Sequence, residues 1–375
     1  MKKIWIAFTV ILSQPLYAEE SGEDLSIVSF GGITQDAQRE VFFEPFSKES
    51  GKKIKEINYN GGISQIAEMA KKDKSEWDLV QVEASDLVEG CRNNYFETLN
   101  WNLIGQKSEY VRGATHNCGV GSFIWAMVMA YNQDIFQENP PQSWADFWDV
   151  QKYPGKRGLR KTARFTYEIA LLAAGVQGRD VYTILRAPNG FEQALKKLEE
   201  LLPHIEWWEE GAQPSQWLQT KNVVMSAGYN GRIANAIKDG NNFRMIWKNA
   251  IYSIDYWVIL KNSHHKDAAY QLLRYMAPLR RQADFAELIP YGPPTKRSYK
   301  MLRRDTQMML PDVQNKTGTV FPFDYEFWGV VGEKYEAEFQ DWLVRKIKEL
   351  ETKRFGPEVI VNVPQSSTFY LNEKK

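Results

Sequence analysis

One carboxylate stands out among the chemistry-bearing residues. Asp255 interrupts the apolar, aromatic run Ile251-Tyr-Ser-Ile-Asp-Tyr-Trp-Val-Ile-Leu260. An acid in such a strand is costly to bury unless a cation neutralises it. Aromatic groups lie on both sides in sequence, in Tyr229-Asn-Gly-Arg232 and in Ile289-Pro-Tyr-Gly-Pro-Pro-Thr295. A carboxylate among Trp and Tyr faces suits capture of an ammonium group. A ring face contributes about 0.5–2 kcal/mol to a cation and a desolvated charge pair about 1.5–7 kcal/mol, whereas micromolar affinity needs only about 8 kcal/mol. Strand alternation sends Asp255 and Trp257 to one face and Tyr252 and Tyr256 to the other, so these four cannot all line one pocket. The ring candidates are Tyr229, Tyr252, Tyr256, Trp257 and Tyr291; Tyr252, Tyr256 and Trp257 also have an ordinary reading as core residues, and Asp255 has one as an internal salt-bridge partner of Arg232 or another base.

Catalytic patterns are absent from the sequence. It contains neither a Gly-x-Ser-x-Gly elbow nor a His-Glu-x-x-His helix. The four histidines, His116, His204, His264 and His265, stand in dissimilar contexts. Glu206, Glu209 and Glu210 around Trp207-Trp208 leave a secreted carbohydrate-active hydrolase as an alternative. The expectation is a binding protein, not an enzyme.

The elements that must position Asp255 read as alternating strands and helices. Leu25–Phe30, Ile54–Ile57 and Asp78–Glu83 are strands separated by helices. The first helix is expected to be capped by Thr34, bent or ended by Pro45 and stopped by Gly51. This order implies α/β lobes with mainly parallel sheets, whose ligands sit beyond the carboxyl ends of the strands. Phe30, Thr34 and Glu83 fall there and join the candidate site. Glu83 is the second carboxylate candidate because it follows an apolar strand. Val223–Ala227 reads as a further strand, and 144–181 as helical and loop-rich. Two extended runs, near 125–131 and 250–257, can cross between lobes. The expected division is lobe 1 at 19–128 plus 255–305, lobe 2 at 129–254 plus 306–360, and a polar tail at 361–375.

Residues 1–18 read as a secretory signal peptide: Lys2 and Lys3, then the apolar Ile4–Leu12, then Leu16-Tyr17-Ala18. The expected location is therefore the periplasm. Without Lys2 and Lys3 the chain keeps 45 basic against 47 acidic residues and shows no basic tract, which disfavours nucleic acid. Cys91 and Cys118 are the only cysteines, and in an oxidising compartment they are expected to form a disulfide.

Further motifs accompany the aromatic ones: Ser29-Phe-Gly-Gly-Ile-Thr-Gln-Asp-Ala-Gln-Arg39, Phe43-Glu-Pro-Phe46, Trp77-Asp-Leu-Val80, Tyr131-Asn132, Trp144-Ala-Asp-Phe147 and Tyr153-Pro-Gly-Lys156. In this order and spacing the chain resembles the extracellular solute-binding proteins of bacterial ABC importers, specifically the spermidine/putrescine (polyamine) group. The resemblance implies a two-lobed periplasmic binding protein fold of type II with two hinge strands. It also implies a polyamine-like ligand in the interlobe cleft and delivery to an inner-membrane ABC permease. Asp255 then holds an ammonium group while Tyr229 and Tyr291 supply rings. One departure is visible. Polyamine-binding relatives carry two more acids in the segment matching Lys161-Thr-Ala-Arg-Phe165, which here is basic and apolar, and an aromatic at the position of Ser253. The ligand could then be another small amine, an amino acid or a zwitterion whose carboxylate meets Arg160 or Arg164. A monomer is expected, with no cofactor or metal.

Overall fold

The computed structural model describes residues 25–311 and 320–355. The expected signal peptide and the 361–375 tail lie outside the described residues. Among the described residues nine strands form one sheet: β1 (Leu25–Ser29), β2 (Ile54–Asn58), β3 (Leu79–Val82), β4 (Val120–Asn132), β5 (Arg157–Arg160), β6 (Ile205–Trp208), β7 (Met225–Tyr229), β8 (Phe243–Ile259) and β9 (Val320–Pro322). Their order is β2-β1-β3-β8-β4-β7-β5-β6, with β9 beside β8. Five of the eight pairings are parallel. The antiparallel ones all involve β4 or β8.

β4 and β8 stand between the two parallel sets and join them. β4 is buried over its full length, as a strand covered on both faces should be. Its register with β8 shifts between Gly121 and Phe123 and again between Met127 and Met129. At the second shift β8 accommodates extra residues, with Asn249 at φ 58°, a conformation that Asn tolerates better than most residues. The joining strands are therefore bent where the two halves of the sheet meet.

Local differences from the sequence reading have identifiable causes. The first helix begins at Gly32, not after Thr34. Gly31 and Gly32 take φ of 65° and 57°, which turns the chain tightly enough to start the helix early and frees Thr34 to point inward. Pro45 does not end this helix. A π-helical stretch at Arg39–Phe43 precedes Pro45, and the helical run continues through it as Glu44–Ser50. Gly51 stops the helix in the left-handed region, as expected. The segment read as helical and loop-rich contains β5. That strand escapes notice because two of its four residues are arginines. Arg157 is nonetheless fully buried, since its guanidinium donates to the carbonyls of Phe147, Gly155 and Tyr153.

Cys91 and Cys118 are disulfide-bonded, tying the helix Ala84–Arg92 to the segment that leads into β4. These two sulfurs and His116 form a cluster close enough to share a metal ion, but the sulfurs are bonded to each other. The Phe30–Tyr59 and Tyr59–Trp77 ring contacts pack the β1–β3 half. On the other side Trp148, Leu159, Leu198 and Trp208 fill the space under β5 and β6.

Candidate functional site

A cavity of ≈ 50 Å³ lies where the carboxyl ends of β1, β3, β5 and β7 converge from both halves of the sheet. This is where an α/β sheet places ligands. Phe30 and Asn60 come from the turns after β1 and β2, Thr34 from the first turn of the helix Gly32–Gln38, and Glu83 directly follows β3. Phe123 and Trp125 come from β4, Asp255 from β8, Arg160 from β5, Tyr229 from β7, Arg232 from the helix Asn230–Lys238, and Tyr291 from a later loop. Six of the seven residues expected at the site thus meet here. The seventh, Trp257, does not line the cavity. Its ring shares the Asp255 face of β8 but packs edge-on against Phe43, 6.3 Å away. Tyr252 and Tyr256 lie on the opposite face and border a separate cavity with Tyr325 and Phe323, the split that strand parity requires.

Asp255 is 3% exposed and has no ion-pair partner among the described residues. Trp125 donates from Nε1 to its Oδ1 at 2.6 Å. Burial, then the nearby Glu83, push its carboxyl well above the ordinary range; the Trp125 bond and the more distant charge of Arg160 work against this. Trp125 reaches the acid because of register. Trp125 faces Ser253, and Phe123 faces Asp255. The small Ser253 leaves room for the indole, so the ring absent from position 253 is supplied by the neighbouring strand.

Arg232 is the complementary group. It is 9% exposed and has no carboxylate partner among the described residues. Its Nη2 donates to the carbonyl of Gly31 at 3.3 Å, across to the other half of the sheet. Thr34 and Arg232 both reach the Tyr291 hydroxyl, and burial pushes that phenol up to about 12 despite the cation.

Arg160 and Arg164 are already neutralised. Arg160 donates to Glu83 at 3.0 Å and Arg164 to Asp86 at 2.9 Å. Burial opposes the charge on Arg160, yet Glu83 holds its pKa above the usual value. Arg164 does not line this cavity.

The rings form a cage. Phe123 and Tyr291 stack at 4.5 Å, 9° from parallel. Trp125 meets Tyr229 edge-on at 4.9 Å, and Trp208 backs Tyr229 at 5.5 Å. Gly231 lets Tyr291 lie flat on the backbone, since a Cβ there would sit 2.4 Å from the ring. Asn230 ties the cage together. Its Nδ2 donates to Pro290 and Met309 carbonyls at 2.8 and 3.0 Å, and its Oδ1 accepts from the Ala126 amide at 2.8 Å. Sequence reasoning missed Phe123, Trp125, Asn230 and Arg232 as site residues. The first two had a usable signal, alternation within the β4 run; Asn230 had none.

Two of the three carboxylates behind the hydrolase alternative are paired with lysines. Glu206, on β6, pairs with Lys156, and Glu209 pairs with Lys161 at 3.0 Å.

Residues 42–315 match the family model of bacterial extracellular solute-binding proteins. The chain is 40% identical over 328 residues to the gamma-aminobutyric acid-binding protein of Pseudomonas aeruginosa, covering 88% of this chain and 93% of that one. Among solved structures it is similar to MotA of A. tumefaciens B6 in complex with glucopine, with TM-score 0.80, 26% identity, and 86% and 100% of the two chains covered. It is also similar to the Atu4243 GABA receptor, with TM-score 0.77, 28% identity, and 86% and 98% covered. The sheet order and the crossing strands are those of a two-lobed, type II binding-protein fold.

Proposed function

This chain belongs to the bacterial extracellular solute-binding proteins, which are not enzymes, and from that premise we propose that it captures a short ω-amino acid of the γ-aminobutyrate class for an ABC importer. The observation that carries this reading is a pair of uncompensated charges. Asp255 and Arg232 face one small cavity, and among the described residues neither has an ion-pair partner. A zwitterion neutralises both at once, its ammonium on Asp255 and its carboxylate on Arg232, while Trp125, Tyr229, Phe123 and Tyr291 enclose its methylenes. The volume of ≈ 50 Å³ holds roughly four water-sized spheres, which suits a short chain better than an opine. The similarity to γ-aminobutyrate-binding proteins supports the same class.

The polyamine reading needs a second carboxylate for a second amine, from Glu83, Glu168, Glu209 or Glu210, and of these Glu83 and Glu209 line the cavity. Glu83 is committed to Arg160, and Glu209 pairs with Lys161, so neither is a free carboxylate for a second amine. Ligand binding favours closure of the two halves by differential affinity, and the closed form is delivered to an inner-membrane permease.

Isothermal titration with γ-aminobutyrate, butylamine, butyrate and putrescine tests the reading. γ-Aminobutyrate binds tightest, and Arg232→Met weakens it by at least about 30-fold while changing butylamine little. Putrescine binding as tightly as γ-aminobutyrate would refute the zwitterion assignment and favour the polyamine one.

A further inference from the structure

We propose that the Glu83–Arg160 ion pair is the end wall of the cavity and sets the longest ligand the protein accepts. The inference rests on the ω-amino acid reading above and adds the residues that limit its length. Three residues, Asn60, Glu83 and Arg160, line both the ≈ 50 Å³ cavity and a second space of ≈ 360 Å³ beyond it. The ion pair therefore stands as a partition between a small aromatic chamber and a larger space beyond it.

The partition is well braced. Glu83 is 7% exposed, and the pair closes at 3.0 Å. The Arg160 guanidinium lies 5.8 Å from the Tyr229 ring and 6.0 Å from that of Trp208. Its two members end β3 and β5, strands from opposite halves of the sheet, so the wall forms only when the halves are together. A ligand too long for the chamber must separate a desolvated pair, and removing the pairing leaves two buried charges uncompensated. Beyond the wall stand the Gly61-Gly62 turn, Arg164, Glu333 and Glu336. The wall thus discriminates short ω-amino acids from longer and substituted amino acids.

The test is a chain-length series. Dissociation constants for ω-amino acids of three, four, six and eight carbons are measured on the full-length protein, on Glu83→Ala/Arg160→Ala and on Glu83→Asp. The wild-type protein loses affinity by about tenfold or more beyond the four-carbon acid. In the double variant the ratio of the eight-carbon to the four-carbon constant falls by about tenfold or more. Glu83→Asp keeps the charge and draws the carboxylate back by one methylene, which moves the cutoff toward the longer acids; it also carries the test if the double variant does not fold. An unchanged length profile in the folded variants overturns the inference and leaves the ω-amino acid reading standing. Loss of every ligand at an unchanged melting temperature also overturns it, because the pair is then an anchor. No binding of any ω-amino acid by the wild-type protein defeats the underlying reading and the inference with it.

Discussion

Replacing Asp255 with Asn should move stability and affinity in opposite directions. The substitution keeps the shape and leaves an amide oxygen for the 2.6 Å bond from Trp125 Nε1. It removes a buried charge that has no cationic partner in the ligand-free protein. The folded pKa of Asp255 lies above its unfolded value, so the folded state binds the proton more tightly. Its contribution to stability is then complete below the unfolded pKa and is lost as pH rises through the folded one. Above that window the Asn variant is the more stable protein, by roughly 1–3 °C in melting temperature. Binding goes the other way. Removing one partner of a desolvated charge pair costs about 2–5 kcal/mol, roughly a 30- to 4000-fold loss of affinity. At ligand concentrations a hundred times the wild-type dissociation constant, wild-type stabilisation is about 2.7 kcal/mol, and a variant weakened 30-fold retains only about 0.9 kcal/mol. Differential scanning fluorimetry with and without γ-aminobutyrate, alongside calorimetry, reads both quantities. Calorimetry in buffers of different ionisation enthalpy adds a third. The ammonium requires the carboxylate form, so wild-type binding on the acid side of the Asp255 titration releases a proton and the variant releases none. An Asn variant that binds within about threefold of wild type, or that melts lower without ligand, would refute the assignment of Asp255 as the ammonium anchor.

Two other perturbations probe the frame around the site. Glu168 is fully buried; Trp328 and Tyr182 both donate to its Oε1, at 2.6 and 2.9 Å, and burial still pushes its carboxyl up to about 7. The folded state holds that proton more tightly than the unfolded chain, so stability falls as pH rises from about 4.5 through 7. Glu168→Gln removes the slope and gains up to about 3 kcal/mol over wild type at alkaline pH; denaturant melts at acid and alkaline pH should show it, and parallel pH profiles would count against it. Gly231→Ala drives a Cβ to within 2.4 Å of the Tyr291 ring and should weaken γ-aminobutyrate by roughly 5- to 150-fold through overpacking. Unaltered affinity by calorimetry would mean that the position of this ring is not needed.

Much of the frame is written in local pattern. Short apolar strands, the Gly51 stop, the long runs that become β4 and β8, and the cysteine pair follow from burial, backbone freedom and redox context, all of which act over a few residues. Asp255 was legible for the same reason, since an acid in an apolar strand is an anomaly wherever the strand lies. Parity alone separated Tyr252 and Tyr256 from the site. It could not separate Trp257, because sharing a face with Asp255 does not decide which part of that face is covered by Phe43. Which arginine is free to meet the carboxylate of the proposed ligand was equally beyond local pattern. Sequence reasoning offered Arg160 or Arg164, but each is cancelled by an acid some eighty positions away, Glu83 and Asp86, while Arg232 is left without one. Likewise the missing ring at Ser253 is replaced by Trp125 through cross-strand register. The sequence by itself thus determined the kind of protein and pointed to Asp255 as the proposed anchor for one end of a ligand. Only the tertiary structure decided which charges remain uncompensated and how much space separates them from a wall, because ion pairing and cavity shape depend on groups brought together from strands that are distant in the chain.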